Sequence, residues 1–195
     1  MYTLIMAETY YEEKTFTKVN FTDQNLTQTE FDKCTFISCN FSDMVLTRAV
    51  FSDCVFDTCN LSMVNLNQVK MDNGQFRSCK MLGINFSTCS DFLFSVTFTD
   101  CLLDYSIFIR KKLKGTKFKN CSLKEVNFSD CDLTAADFSG SDLNQAIFRQ
   151  TNLEKADFRE AHLFSIDPEL NKLKKAKFSR SDLSGLLHKY DLHIF

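Results

Sequence analysis

CDLTAADFSGSDLNQAIFRQTNLEKADF, residues 131–158, repeats one short pattern: a small residue, usually Asp or Asn, then Leu or Phe, then two mostly polar residues. Leu133, Phe138, Leu143, Phe148, Leu153 and Phe158 fall five apart. A period of five fits neither the helix (3.6) nor the strand (2). Taken outward, the central large residue runs from Phe16 to Phe86 in steps of five, skips two residues, and resumes from Leu93 to Leu163. Every one of these thirty central residues is Leu, Phe or Met. The residue two before it is usually small or apolar, as in Cys34, Ala49, Val64, Cys79, Val126 and Ala156. Residues two apart point the same way in extended backbone, so both registers face inward and the other three positions face out. Each pentad must then turn, and four turns of about 90° close a square coil of 20 residues, stacked at the strand spacing of about 4.8 Å.

The sequence tests this register. Phe16, Phe36, Phe56 and Phe76 lie 20 apart; with two residues added for the skip, Phe98, Phe118, Phe138, Phe158 and Phe178 continue the column. Cys39, Cys59, Cys79, Cys101 and Cys121 form another. Both columns survive only if two residues are extruded, which places a small bulge near residues 90–92, within Cys89-Ser90-Asp91-Phe92. Leu and Phe alternate strictly in the second half, which puts Phe on two opposite faces of the coil and Leu on the other two.

This pattern resembles the pentapeptide-repeat proteins, whose consensus AADFS (135–139), GSDLN (140–144) and EKADF (154–158) carry closely. The resemblance spans about residues 14–185 and implies an all-β solenoid, a right-handed quadrilateral β-helix of about 7–8 coils with a short C-terminal helical or apolar cap. Residues 1–13, where ETYYEEK breaks the period, are expected to cap the first coil; residues 14–166 form the coils with their bulge. Residues 167–195 hold the final repeats and a cap or dimerisation segment. Pro168 takes a central position and marks an interruption, PELNKLKK suits a helical turn, and AKFSR and SDLSG resume the repeat. The apolar tail Leu186, Leu187, Tyr190, Leu192, Ile194 and Phe195 either caps the coil or also forms a two-fold dimer. The segment SIDPELNKLKKAKFS is similar to that of Qnr-type members, which implies a homodimer through the C-terminus.

The composition fits a single domain. Of 195 residues, 23 are Lys or Arg and 25 are Asp or Glu, for a net charge of −2, which by itself selects no nucleic-acid or acidic-decoy class. No apolar run is long enough to span a membrane, and the N-terminus lacks a basic start, so no membrane role and no signal peptide are expected. The nine cysteines, with no CxxC pair, suit a reducing cytoplasm, and their inward register makes them core fillers. His162, His188 and His193 show no metal-ligand spacing, and no catalytic triad or phosphate loop emerges. No catalytic, cofactor or metal residues are assigned, and no cofactor is expected.

Three outward features remain. Asp132, Asp137, Asp142 and Asp157 precede central residues, either as a row of surface anions or as acceptors for turn amides. RKKLKGTKFK (110–119) reads as a solvated basic face, and direct nucleic-acid binding is not expected. Residues 1–90 carry net −3 and residues 91–195 net +1. Candidate partner-binding residues are Ser90, Asp91 and Phe92 at the bulge and Lys111, Lys112 and Lys117 in the basic run. The resemblance to Qnr-type and MfpA-type members implies a non-enzymatic rod that binds type II topoisomerases, DNA gyrase and topoisomerase IV, as a DNA mimic, and relieves quinolone poisoning. The alternative is an interaction scaffold for an unrelated protein.

Overall fold

The computed structural model describes residues 9–193. Ile194, Phe195 and residues 1–8, part of the proposed N-terminal cap, lie outside them. The chain forms a parallel β-solenoid of about eight turns. Strands Tyr10–Glu12, Glu30–Asp32, Val50–Ser52 and Lys70–Asp72 stack as one parallel sheet, here the first face. Thr15–Thr17, Thr35–Ile37, Val55–Asp57, Gly74–Arg77, Val96–Thr99 and Phe118–Lys119 make the second face. The third and fourth faces, centred on Phe41 and Leu46 in the second coil, are joined by single bridges such as Asn40↔Asn60 and Val45↔Asn65.

The inward pair consists of the residues that the period selects. Phe36, Phe56, Phe98, Phe118, Phe138 and Phe158 are almost completely buried, and so are Leu103, Leu123, Leu133 and Leu143. Along the second face the phenyl rings from Phe16 to Phe178 stack with centroids 4.7–5.3 Å apart and planes within 17° of parallel. From Phe86 to Phe148 a second stack runs up the fourth face and meets the first edge-on, as Phe118 meets Phe128 at 5.4 Å and 76°. Parallel-offset and edge-to-face contacts are the geometries that the ring quadrupole favours.

The corner is built by the residue two after the centre. It takes a left-handed conformation in almost every pentad, including Lys33, Asp53, Thr58, Met63, Tyr105, Glu125 and Lys155, with φ between 52° and 64° for all of these but Lys33 at 49°. Such a conformation costs a non-glycine residue roughly 1–2 kcal/mol. The cost is offset because the same residue's N–H is aimed at the next coil: Lys33 donates to the Ser52 carbonyl at 2.8 Å and Asp53 to that of Asp72 at 2.9 Å. The sequence, with five glycines, gives little sign of these corners.

The small inward residue also has a polar duty. Cys39 Sγ donates to the Phe16 carbonyl at 3.3 Å, Cys59 to Phe36, and Cys79 to Phe56, always the central residue of the coil below. Thr151 Oγ1 and Ser106 Oγ make the same bond to the Phe128 and Met81 carbonyls at 2.9 and 3.1 Å. Thus Cys, Ser and Thr interchange in this slot because each is small and carries one donor. All nine cysteines are buried and free.

The structure departs from the sequence expectation in four places. Tyr10–Glu12, expected in the N-terminal cap, is already the first strand of the first face, with Tyr11 buried and stacked on Phe31 at 5.4 Å, because Tyr11 falls in the five-residue period. Leu93 is not a central core residue: it is 58% exposed with φ at +56°, and Phe94 turns partly into the core instead. Ser90 N still donates to Val69 O, as the 20-residue coil requires, whereas Ser95 N reaches Met71 O and Phe76 pairs with Phe98, 22 residues on. The extra length is therefore absorbed by Asp91–Leu93, which arch out before Phe94 turns back toward the core. Leu163 is likewise outside, 63% exposed, because the chain takes its left-handed turn there, two residues early, and seats Phe164 and Ile166. The helical character lies not in PELNKLKK, which holds only turns at 168–170 and 174–175, but in SDLSG: short 3-10 segments span Arg180–Leu186 and His188–Tyr190.

That cap docks through Gly185. Its carbonyl accepts from Ile166 N at 2.9 Å, and a Cβ there would meet the Phe164 carbonyl and ring carbons at 2.5–2.6 Å. Backbone cannot yield as a flexible side chain does, so Gly185→Val is expected to detach the cap. Hydrogen exchange should rise at Ile166 while coils near Phe56 stay protected; unchanged protection at Ile166 would contradict this docking.

Candidate functional site

The exterior divides into the bulge, a charge-paired ladder and two apolar patches. At the bulge, Asp91, Phe92 and Leu93 project outward, with Phe92 68% exposed and its N–H donating to Ser90 Oγ at 3.3 Å. Lys111, expected on an outward face, is instead 2% exposed. It occupies the inward slot two before Leu113. From there Nζ donates to the Cys89 carbonyl at 2.6 Å and to Asp91 Oδ1 at 2.7 Å, and lies 4.7 Å from the Phe94 ring centroid. A lysine can sit in that slot because the phase slip leaves a carbonyl, a carboxylate and a ring face within its reach. Lys111 therefore holds the bulge from beneath and offers no outward cation. The sequence signal was present: a lysine in an inward register one coil after the slip.

Ser90, Asp91 and Lys112 share the first face with this staple, whereas Lys117 belongs to the second face, beside Arg77, Thr97 and Thr99. The structure thus gathers five of the six expected partner-binding residues around one bulge and separates the sixth. Leu93 and Phe94 complete that group.

The aspartate row resolves into turn acceptors. Asp137 Oδ1 accepts from Ser139 N at 3.0 Å, Asp142 from Asn144 N at 3.0 Å and Asp132 from Thr134 N at 3.2 Å. Asn40, Asn60, Asn65 and Asn127 do the same in other coils. The second carboxylate oxygen meets a lysine of the coil below: Lys114–Asp132 at 3.3 Å, Lys119–Asp137 at 3.2 Å and Lys124–Asp142 at 3.4 Å. Asp157 pairs with Arg159 at 2.8 Å and Lys177 at 3.2 Å. The acidic row is therefore neutralised by neighbouring cations and forms no free stripe.

These contacts set the acid response. The hydrogen bond from Arg159 is the main influence holding the Asp157 carboxyl below its ordinary range. Burial pushes Asp132 and Asp137 up, but the bonds from Thr134 and Ser139 outweigh it and hold both low. A carboxylate with a lowered folded-state pKa contributes stability that is present above its unfolded pKa, about 4. That contribution is lost as pH falls through the folded value. The thermal midpoint should therefore fall as pH drops below about 4, and Asp157→Asn should flatten that fall. A wild-type and a variant profile that superimpose below this pH would refute the assignment.

Burial pushes the thiols of Cys54, Cys89 and Cys131 up to about 12, which suits core packing and not nucleophilic chemistry. Among the described residues, no three His, Cys, Asp or Glu side chains are placed to hold a metal ion, and no helix is long and apolar enough to cross a membrane. A shallow groove of about 570 Å³ borders the bulge, lined by Gln28, Arg48, Gln68, Lys70 and Ser90 among others. The third face carries exposed apolar side chains of its own: Leu102 and Tyr105 in one coil, and Met63 two coils below. At the C-terminal end, Leu186 packs against the core, whereas Leu187, Tyr190 and Leu192 are exposed. Lys189 ties this end down through Asp167 and Glu169, each at 2.8 Å.

The family model described as "Pentapeptide repeat region" matches residues 29–108, 49–128 and 106–187. No curated protein matches the sequence. Among solved structures, a trypsin-treated form of QnrB1, a plasmid-mediated fluoroquinolone resistance protein, is similar. It is 22% identical, the match covers 95% of this chain and 91% of that one, and the TM-score is 0.65. HetL, involved in heterocyst differentiation regulation in the cyanobacterium Nostoc sp. strain PCC 7120, is 15% identical over 86% of this chain and 81% of its own, with a TM-score of 0.57. At these identities the likeness concerns the fold.

Proposed function

Since the chain belongs to the pentapeptide-repeat family, we propose that it is a non-enzymatic binding rod that acts in the cytoplasm by recognising another protein. The observation that carries this reading is the division of labour within each pentad. Two inward residues are committed to packing and to inter-coil hydrogen bonds, so all variable chemistry lies on flat outer faces at a fixed spacing of about 4.8 Å. Such a surface suits recognition of a large, regular partner.

The similarity to QnrB1 makes a type II topoisomerase, DNA gyrase or topoisomerase IV, the first partner to test, with protection against quinolone-type poisons as the outcome. A DNA-mimicking surface needs free anions, because duplex DNA presents one charge per about 1.7 Å. The first four coils supply candidates in Glu12, Asp43, Asp53 and Asp72, whereas Asp132, Asp137 and Asp142 are ion-paired. Purified protein is expected to alter gyrase supercoiling and to raise the fluoroquinolone concentration needed for cleavage-complex formation. No change in either at saturating protein would overturn the topoisomerase reading.

A second reading, a scaffold for an unrelated protein, is favoured by the exposed Met63, Leu102 and Tyr105. An apolar surface of this kind has no counterpart in DNA. Loss of a captured partner on Tyr105→Glu, with gyrase unaffected by wild-type protein, would select it.

A further inference from the structure

The first face carries opposite net charge on the two sides of the bulge. In the four coils before it, this face and its corner carry six carboxylates, Glu12, Glu13, Glu30, Asp32, Asp53 and Asp72, against Lys33 and Lys70. In the four coils after it, the same positions carry six lysines, Lys112, Lys114, Lys155, Lys172, Lys174 and Lys175, against Asp132 and Glu154. The two halves are thus −4 and +4. Their stacking is fixed by the ladder: Glu30 pairs with Val50 and Val50 with Lys70 below the bulge, and Lys112 with Asp132, Asp132 with Asn152 and Asn152 with Lys172 above it. At the middle stand Phe92 and Leu93, adjacent and largely exposed.

From this arrangement we propose that the first face binds a second copy of the chain, antiparallel and side by side, about a two-fold axis through the bulge. A two-fold axis requires each group to find its complement at the same distance on the other side of the axis. The charges meet that requirement most fully at the two ends of the face. Glu12 and Glu13 lie four coils before the bulge and Lys172, Lys174 and Lys175 four coils after it, each about 19 Å away at the strand spacing. Lys70 and Asp72 lie one coil before, and Lys112 and Lys114 one coil after, so Asp72 finds a lysine while Lys70 faces one of its own sign. Three coils out the charges nearly cancel, with Glu30, Asp32 and Lys33 (net −1) opposing Glu154 and Lys155 (net 0). Two coils out the match fails, since Asp53 meets Asp132, and Asp132 is already neutralised by Lys114 at 3.3 Å.

At the axis, Phe92 and Leu93 of each copy pack against their own symmetry mates, which removes the most exposed aromatic side chain of the described residues from water. The Lys111 staple holds the bulge in one shape before association, so little ordering is needed on binding. Long Glu and Lys side chains span the separation that two facing bulges impose. This surface is distinct from the apolar C-terminal end, and its use does not depend on which protein the rod recognises.

Sedimentation velocity of the full chain tests the proposal. A dimer is expected at low salt, with a dissociation constant that rises about tenfold or more as ionic strength goes from about 0.01 M to about 1 M. Glu12→Lys with Glu13→Lys should weaken it by about tenfold, as should Lys172→Glu with Lys174→Glu. Both reversals in one chain should restore it, and so should mixing the two reversed proteins, because the opposed charges are again complementary. Phe92→Ser with Leu93→Ser should abolish it, with circular dichroism unchanged. A monomer at all concentrations would overturn the proposal. A dimer lost only on Leu187→Ser with Tyr190→Ser, and indifferent to the reversals, would do so in favour of end-to-end association.

Discussion

Lys111→Ala is expected to destabilise the protein by about 3–5 kcal/mol, read as a lower denaturant midpoint. Two losses add. The buried four-carbon stem contributes about 0.8 kcal/mol per methylene, and its removal leaves a void beneath the bulge. The Cys89 carbonyl also loses its donor, which costs about 1–3 kcal/mol for a buried acceptor. Asp91 adds little, since its side chain is 77% exposed and water replaces the lysine there. Lys111→Met separates the two losses. It keeps the stem and relieves the burial of a charge, so only the orphaned carbonyl remains, and a loss of about 1–2 kcal/mol is expected. Both variants should speed hydrogen exchange across residues 91–95. A wild-type midpoint for Lys111→Ala would show that the bulge is held by its own turn and not from beneath.

Phe118→Ala should cost a similar amount, about 3–5 kcal/mol, the usual range for emptying a buried aromatic site. Phe118 is fully buried, stacked on Phe98 at 5.3 Å and Phe138 at 5.1 Å, and met edge-on by Phe108 at 5.7 Å and Phe128 at 5.4 Å. The strands cannot close around the void, because the coil spacing is fixed by ladder bonds on both sides, such as Phe118 N to Asp137 O at 2.7 Å. For a chain of this length the thermal midpoint should fall by roughly 6–20 °C. Phe178→Ala removes the same ring at the end of the stack, where it is partly exposed, stacks on Phe158 and meets the tilted ring of Phe164 at 5.4 Å. Less than half the loss is expected there, as fraying of the last coil. In a solenoid each coil contacts only its neighbours, so interior and terminal sites should differ in this way. Equal losses would contradict that account.

The coil was legible because its period leaves no alternative. Thirty central residues of three types, five apart, define the inward registers, and two columns carried across the skip locate the slip to within a few residues. The candidate site was less legible, for local reasons. RKKLKGTKFK looks like one basic face, yet its two adjacent lysines have opposite fates: Lys111 is buried and Lys112 is exposed. Strand alternation makes that difference, and only the neighbouring coil shows what a buried lysine would bond. Leu93 fits the period and is nevertheless outside, because the slip changes which residue follows the corner.

The sequence by itself determined the repeat, the four-sided coil, the composition of the core and the place of the interruption, since these follow from periodicity and side-chain size. Tertiary structure decided how the outside behaves. Residues 20 apart in sequence become neighbours at about 4.8 Å only when the coils stack. That stacking pairs Lys114, Lys119 and Lys124 with aspartates 18 residues on, turns Lys111 into a staple, and gathers the charges of the first face into two opposite halves around Phe92 and Leu93.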